Sequence, residues 1–310
     1  MALPGAQPVV ARPVALAPAG EGHGRSGRSA PRSLTSDALR RLVRDRAAMA
    51  GLLIVCVMAV LAVGAPVFAR ANPVEQALAE RLKPPSAAHP FGTDNLGRDV
   101  YSRVLYGGRL SLRVGIVAVV LGAVVGTFLG LLAGYAGPVA DSTISRVMEV
   151  VLAFPSTLLA IAIVAARGPG IENTMLAIGL ISIPIYARLS RASVLSLRER
   201  DFVLAARCTG ASGGRILFRH ILPNGLSPLI VQATLGIATA IVEAAALGFL
   251  GLGAQPPTPE WGLMLTDARN FLLNAPWAMI FPGLAIMLTV LGFNLFGDGL
   301  RDALDPQLKQ

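Results

Sequence analysis

Long apolar runs of about twenty residues limit this chain to spanning a membrane. Inside hydrocarbon each backbone amide and carbonyl must find its partner within the segment, so runs without alternating polarity form helices. Six stand out: Ala47–Ala69, Leu112–Ala133, Val147–Ala166, Thr174–Leu189, Leu229–Leu252 and Trp277–Phe296. At about 1.5 Å per residue, runs of this length reach across roughly 30 Å of hydrocarbon. The fourth is the shortest and contains Pro184. The expected fold is therefore an all-α membrane protein of six transmembrane helices. Only 15% of the residues are charged, against about 25% in soluble domains, which excludes an ordinary soluble enzyme.

Arginine placement orients the bundle. The segment between spans four and five holds Arg188, Arg191, Arg198, Arg200, Arg207, Arg215 and Arg219, whereas the one between spans five and six holds only Arg269. The positive-inside rule puts the first in the cytoplasm, together with both termini, and the second outside. The net charge of +9 thus belongs to inward loops and not to nucleic-acid binding. Residues 1–36, rich in Pro, Ala, Gly and Arg without periodicity, are expected to form a disordered cytoplasmic tail and not a signal peptide. The loop from Arg70 to Leu110 falls outside, where its Arg70, Arg81, Lys83, Arg98, Arg103 and Arg109 fit the rule poorly.

Several chemistries have no residues to carry them. Cys56 lies in an apolar run and Cys208 in the basic loop, so neither a disulfide nor a metal framework is expected. His23, His89 and His220 all fall outside the spans, which removes a Ser–His pair or zinc site within the membrane. A phosphate-binding loop needs Gly-Lys-Ser/Thr, and Lys83 and Lys309 both follow leucine. The chain is thus expected to bind no cofactor and to lack an ATPase of its own.

Polar residues within the spans are few. Glu243 sits deep in span five, where a carboxylate must face protein or water, and it is the candidate pathway residue. Arg146 and Glu149 are spaced to pair on one helix face. Gly122, Gly126, Gly130 and Gly134 recur every four residues and mark a close helix contact, with Gly115 just before them. Pro155 and Pro184 are candidate kinks. Thr93-Asp94 and Arg98-Asp99 are placed to cap a helix entering span two.

The basic loop has an internal pattern. Residues 201–207 can form a short helix. Gly210 and Gly213-Gly214 allow a reversal through positive φ, and residues 215–222 can form a second helix that Pro223 ends. Such a knob, joined rigidly to two spans, could relay a push, with Gly210 as its hinge. The pattern resembles the E-A-A-x3-G-x9-I-x-L-P loop of ABC importer permeases. Ala205, Ala206, Gly210, Leu222 and Pro223 match it, with Arg207 and Arg215 between them, while Leu204 replaces the glutamate and His220 the isoleucine. "HPFGTDNLGRDVYSRVLYGGRLSL", "ALGFLGLGAQPPTPEWG" and "FNLFGDGLRDALDP" resemble segments of the second permease subunit of dipeptide and oligopeptide importers.

The resemblance implies a MetI-like, type I importer bundle in the bacterial inner membrane. Residues 37–109 would form a first helix and outer loop, 110–300 the permease core with its coupling loop at 195–226, and 301–310 a cytoplasmic tail. It further implies a homologous permease partner, two ATPase subunits that hold ATP and Mg, and an external solute-binding protein. Pro257, Glu260 and Trp261 are the candidate contacts with that protein. Related importers carry nickel or glutathione. A secondary transporter is the rival class; it would show paired broken helices at its centre and need no docking knob.

Overall fold

The computed structural model describes residues 34–304, so residues 1–33 and 305–310 of the two expected tails lie outside the described residues. The other tail positions are helical. α1 covers Leu34–Arg44, and the last helix continues to Leu304. Asp45 then caps α2 (Arg46–Val63), accepting the Ala47 N–H at 2.9 Å, and a short turn, α3 (Ala65–Phe68), follows.

α4 (Val100–Tyr135) starts twelve residues before the apolar run does. Asp99 supplies the start, its carboxylate accepting the Ser102 N–H at 2.8 Å. The added turns carry Arg103 and Arg109. Arg109 donates to the Ala62 and Val63 carbonyls, the open C-terminal end of α2, at 2.8 and 2.7 Å.

The third expected span is not one helix. It breaks into α5 (Pro138–Leu152) and α6 (Ser156–Arg167), bent by 89° at a break of at most four residues. Pro155 sits in that break; it offers no N–H to the preceding turn, and its ring would crowd a carbonyl there. Among the described residues five helices are long and apolar enough to cross a membrane, and the bent pair makes up to six. α7 (Ile171–Leu197) runs well past both expected limits and keeps Pro184 inside it. The arginine-rich segment follows, then α11 (Leu226–Phe249), α12 (Trp261–Ala268) and α13 (Trp277–Leu304); the short helices α8 to α10 are described below.

The core forms where α4 and α7 meet. A methyl group added at Gly126 would lie 2.5 Å from the Ile183 carbonyl oxygen and 2.7 Å from Tyr186 Cβ. At Gly134 it would lie 2.7 Å from Val194 Cβ, and Gly122 and Gly130 also face α7. The four-residue spacing thus works as read, by letting two backbones approach. Gly115 is turned toward Ile237 and Ile241 of α11. Ala118, Val119, Ile178, Ile181 and Ala244 fill the buried volume around the contact.

At the end opposite the arginine-rich segment, residues 70–99 fold down over α4 and α13. Several of the basic residues that fitted the charge rule poorly are occupied here. Arg98, almost wholly buried, pairs with Asp94 and with Asp267 of α12, the latter at 2.9 Å. Arg103 donates to the Pro73 carbonyl at 2.9 Å and to the Pro257 carbonyl at 3.3 Å. Asp99 is the cap the pattern implied, whereas Thr93 is spent within the loop and caps no helix. Thr93 Oγ1 donates to the Glu80 carbonyl, and the Lys83 N–H donates back to Thr93 Oγ1 at 2.9 Å. These arginines tie loop to bundle, so their number says little about sidedness.

Candidate functional site

The arginine-rich segment folds as a compact knob on the ends of α4 and α7. Its first element, α8 (Asp201–Cys208), presents Val203 and Ala206 inward, one turn apart. The second begins as α9 (Gly213–Arg215), widens into a π turn over Ile216–Ile221, and closes as α10 (Leu222–Asn224). Ile216, Leu217 and Ile221 point inward and meet Val203, Ala206, Leu131 of α4 and Val194 of α7 in one buried cluster. That shared cluster makes the knob rigid with respect to the two helix ends.

Gly210 joins the halves at φ +78°. Its N–H donates to the Arg207 carbonyl at 2.9 Å, and the Ala211 N–H reaches back to the Ala206 carbonyl at 3.0 Å. This pair of bonds is a Schellman stop, which requires a left-handed residue at the glycine's position. Gly210 thus ends α8 at a capped turn and joins it to the second half of the knob. Gly213 and Gly214 take no positive φ; they open the second helix after Ser212. Pro223 also differs from expectation, because the chain stays helical through Asn224. An α-helix would press the Pro223 ring on the Arg219 carbonyl, and the wider π turn accommodates it.

The outer face of the knob carries what the inner face does not need. Ala205, Arg207, Arg215 and Pro223 are exposed, Leu222 is half-buried and Ala206 is buried. Three large apolar side chains join the exposed set, Phe202 at 40%, Leu204 at 45% and Phe218 at 55%. Leu204 borders an open groove with Tyr135, Arg198, Glu199 and Arg207. The exposed side of the knob thus carries both large apolar side chains and arginines. Phe202 and Phe218 were not singled out in the sequence. Their signal is their offset by one residue from the buried Val203 and Leu217, which turns them outward on short helices.

Glu243 is half-buried on α11, between the exposed Val242 and the buried Ala244. Pro257 is exposed on the loop leading to α12. Glu260 and Trp261 are not, with 3% and 1% of their surface accessible, so the expected contact of either with an external protein is corrected. The Glu260 carboxylate caps α12, accepting from the Gly262 and Leu263 N–H groups at 2.9 Å each and from Ser111 Oγ at 3.2 Å. Burial pushes its pKa up against the lowering by those donors. The Trp261 indole donates to the Val104 carbonyl at 2.9 Å and fills the space above Gly107. Trp261→Phe is accordingly expected to remove the second donor on that helical carbonyl and cost about 0.5–1.5 kcal/mol. A thermal-shift series on the purified protein would show the lower midpoint, and an unchanged midpoint would assign the indole N–H no part in stability.

Arg146 and Glu149 pair at 3.1 Å on an exposed face, as their spacing implied. Asp141 of α5 holds Arg191 of α7 through two parallel bonds, one of 2.7 Å, a contact the sequence did not announce. Cys56 and Cys208 are both free.

Comparison with known proteins agrees with this geometry. Residues 126–310 match the family described as the binding-protein-dependent transport system inner membrane component. Residues 33–85 match the N-terminal transmembrane domain of oligopeptide transport permease C. The dipeptide transport system permease protein DppC of Alkalihalophilus pseudofirmus is 54% identical over 273 residues, 88% of this chain and 90% of that protein. DppC of Escherichia coli is 53% identical over 273 residues, 86% and 91% of the two chains. The glutathione transport system permease protein GsiD of Pectobacterium atrosepticum is 54% identical over 225 residues, 73% and 75%. Among solved structures, a chain of the inward-facing MetNI methionine ABC transporter superposes with a TM-score of 0.54 at 20% identity, over 66% of this chain and 96% of that one.

Proposed function

This chain belongs to the family of binding-protein-dependent transport system inner membrane components, and on that footing we propose that it is the permease subunit of an ATP-driven dipeptide importer. The identity to two DppC proteins over nearly the whole chain carries this reading. A single six-span subunit encloses half a pathway, so a homologous permease completes it. Two ATPase subunits supply ATP and Mg, and an external solute-binding protein delivers the peptide. Both termini and the knob face the cytoplasm by the arginine distribution. The knob, residues 195–226, then receives the ATPase stroke on Phe202, Leu204, Phe218, Arg207 and Arg215. Because Val203, Ala206 and Ile216 share one core with Leu131 and Val194, movement of the knob carries α4 and α7 with it as a rigid body. Glu243 faces the pathway, and Pro257 contacts the binding protein.

Uptake of a labelled dipeptide by proteoliposomes holding the chain, its partner permease, two ATPases and the binding protein tests this. Uptake should require ATP and survive an uncoupler. Uptake that an uncoupler stops and ATP depletion spares would assign the chain to the secondary transporters. A glutathione importer is the second reading, favoured by the identity to GsiD; unlabelled glutathione that displaces the dipeptide in the same assay would select it.

A further inference from the structure

The loop between α3 and α4 closes on a histidine that the transport reading leaves unused. His89 is mostly buried, with 18% of its side chain exposed. Its Nδ1 lies 3.0 Å from Asp99 Oδ1 and its Nε2 lies 3.1 Å from Glu80 Oε2. An ionised carboxylate only accepts, and a neutral imidazole has one N–H to give. Two carboxylates on two ring nitrogens therefore need both nitrogens protonated.

Each end of this contact leads into the bundle. Asp99 caps α4 and also accepts from Ser102 Oγ at 2.6 Å, and Ser102 Oγ in turn accepts the Arg70 and Ala71 N–H groups. Two residues after His89, Phe91 stacks on Phe281 of α13 with ring centroids 3.9 Å apart. The Trp277 indole, also of α13, donates to the Thr93 carbonyl at 3.1 Å. The segment 89–93 thus pins the start of α4 to the start of α13, and the histidine fastens it.

We propose that His89 is a doubly protonated clasp across Asp99 and Glu80, whose loss of one proton loosens the grip of segment 80–94 on the ends of α4 and α13. The transporter would then sense pH on that face, which is the external one if the orientation proposed above holds. The clasp itself does not depend on that orientation or on the substrate.

The charges around the clasp set the direction of the effect. Asp99 faces it from α4, and Glu80 faces it from the loop. Lys83 pairs with Glu80 at 3.1 Å, and Arg70 donates to the nearby Ala87 carbonyl at 2.9 Å. Among the described residues, α13 meets this segment through the uncharged Trp277 and Phe281. The hydrogen bond to Asp99 raises the His89 pKa above its ordinary 6.5, with burial opposing and Glu80 adding to the rise. A base held charged by the fold contributes fully below its ordinary value and is lost as pH rises through the raised one. Lys83 and His89 lower the pKa of Glu80, whose share is present above its ordinary 4.5 and lost as pH falls through the lowered value. The clasp is therefore complete in mildly acid solution and fails on the alkaline side.

Hydrogen exchange on the assembled transporter in nanodiscs, followed by mass spectrometry between pH 5.5 and 9, reads this directly. The Gly92 N–H, bonded to the His89 carbonyl, and the Thr93 N–H, bonded to the Lys83 carbonyl, are the reporters. After correction for intrinsic exchange, their protection should fall about tenfold across the His89 transition, the ratio that goes with one lost charge-assisted bond. His89→Gln should give low, pH-independent protection. Glu80→Gln changes an exposed residue; it should keep the transition and move it to lower pH. Flat protection in the unaltered protein, a titrating His89→Gln, or an unmoved transition in Glu80→Gln would each overturn the clasp.

Discussion

Gly126→Leu is expected to remove most of the assembled protein from the membrane, about tenfold or more by fluorescence-detected size exclusion. The site has backbone on two sides, with the Ile183 carbonyl 2.5 Å and the Ala187 nitrogen 3.1 Å from the position of a first side-chain carbon. Neither atom can turn away as a side-chain tip would. The helices must part, and the close contact along Gly122, Gly130 and Gly134 is lost with the local one. Overpacking in a core costs about 1–3 kcal/mol and more where backbone must move. A better helix former than glycine returns at most about 1 kcal/mol, so the clash wins. Gly283→Leu on α13, where nothing lies within 4 Å of an added carbon, is the control and should assemble normally. Equal loss in both variants would mean that glycine itself, and not the α4–α7 contact, is what matters.

Gly210→Pro should act on the other half of the machine. The glycine takes φ +78°, and proline is held near −65°. Its N–H also holds the Arg207 carbonyl at 2.9 Å, a bond proline cannot make. The Schellman stop is lost, and α8 can no longer turn onto the π segment. Leu131 and Val194 belong to the long helices, so those should still insert, and the permease should reach the membrane at near-normal level. The exposed Leu204 and Arg207 should shift relative to Phe218. Dipeptide uptake in proteoliposomes should fall about tenfold or more, the consequence of losing roughly 1.4 kcal/mol of coupling. ATP hydrolysis should continue without stimulation by the loaded binding protein. Uptake and stimulated hydrolysis at the level of the unaltered protein would show that the knob does not transmit the stroke. Gly210→Asn, which tolerates the left-handed region better than other non-glycine residues, should retain more uptake than the proline variant.

The two variants also separate what could be read in the sequence from what could not. The glycine repeat on α4 was legible, because four-residue spacing on a helix has one geometric meaning. Its partner was not: nothing in the repeat names Ile183 or Tyr186. The knob's turn at Gly210 was legible as a turn, yet its character as a capped stop rests on hydrogen bonds from Gly210 and Ala211 that only coordinates show. Pro155 in the sequence is a candidate kink in one span, and the chain makes an 89° break there. A proline permits either outcome, and the packing of α6 on α7 decides.

The candidate external contacts mark the limit most clearly. Glu260 and Trp261 lie in a loop rich in proline, between two spans, and a charged and an aromatic residue there suggest a surface. Both instead turn inward, where Ser111, the Val104 carbonyl and the start of α12 receive their polar atoms. Arg98, Arg103 and Arg109 misled in the same way, by counting as free charge while committed to carboxylates and carbonyls of the fold. Hydrophobic length, arginine asymmetry and glycine spacing are local properties, so the sequence alone determined the fold class, where the apolar segments lie and the position of the knob, while the break of the third segment at Pro155 did not follow from them. Which polar side chains face solvent and which are spent inside depends on partners tens or hundreds of residues away, and that the tertiary structure decided.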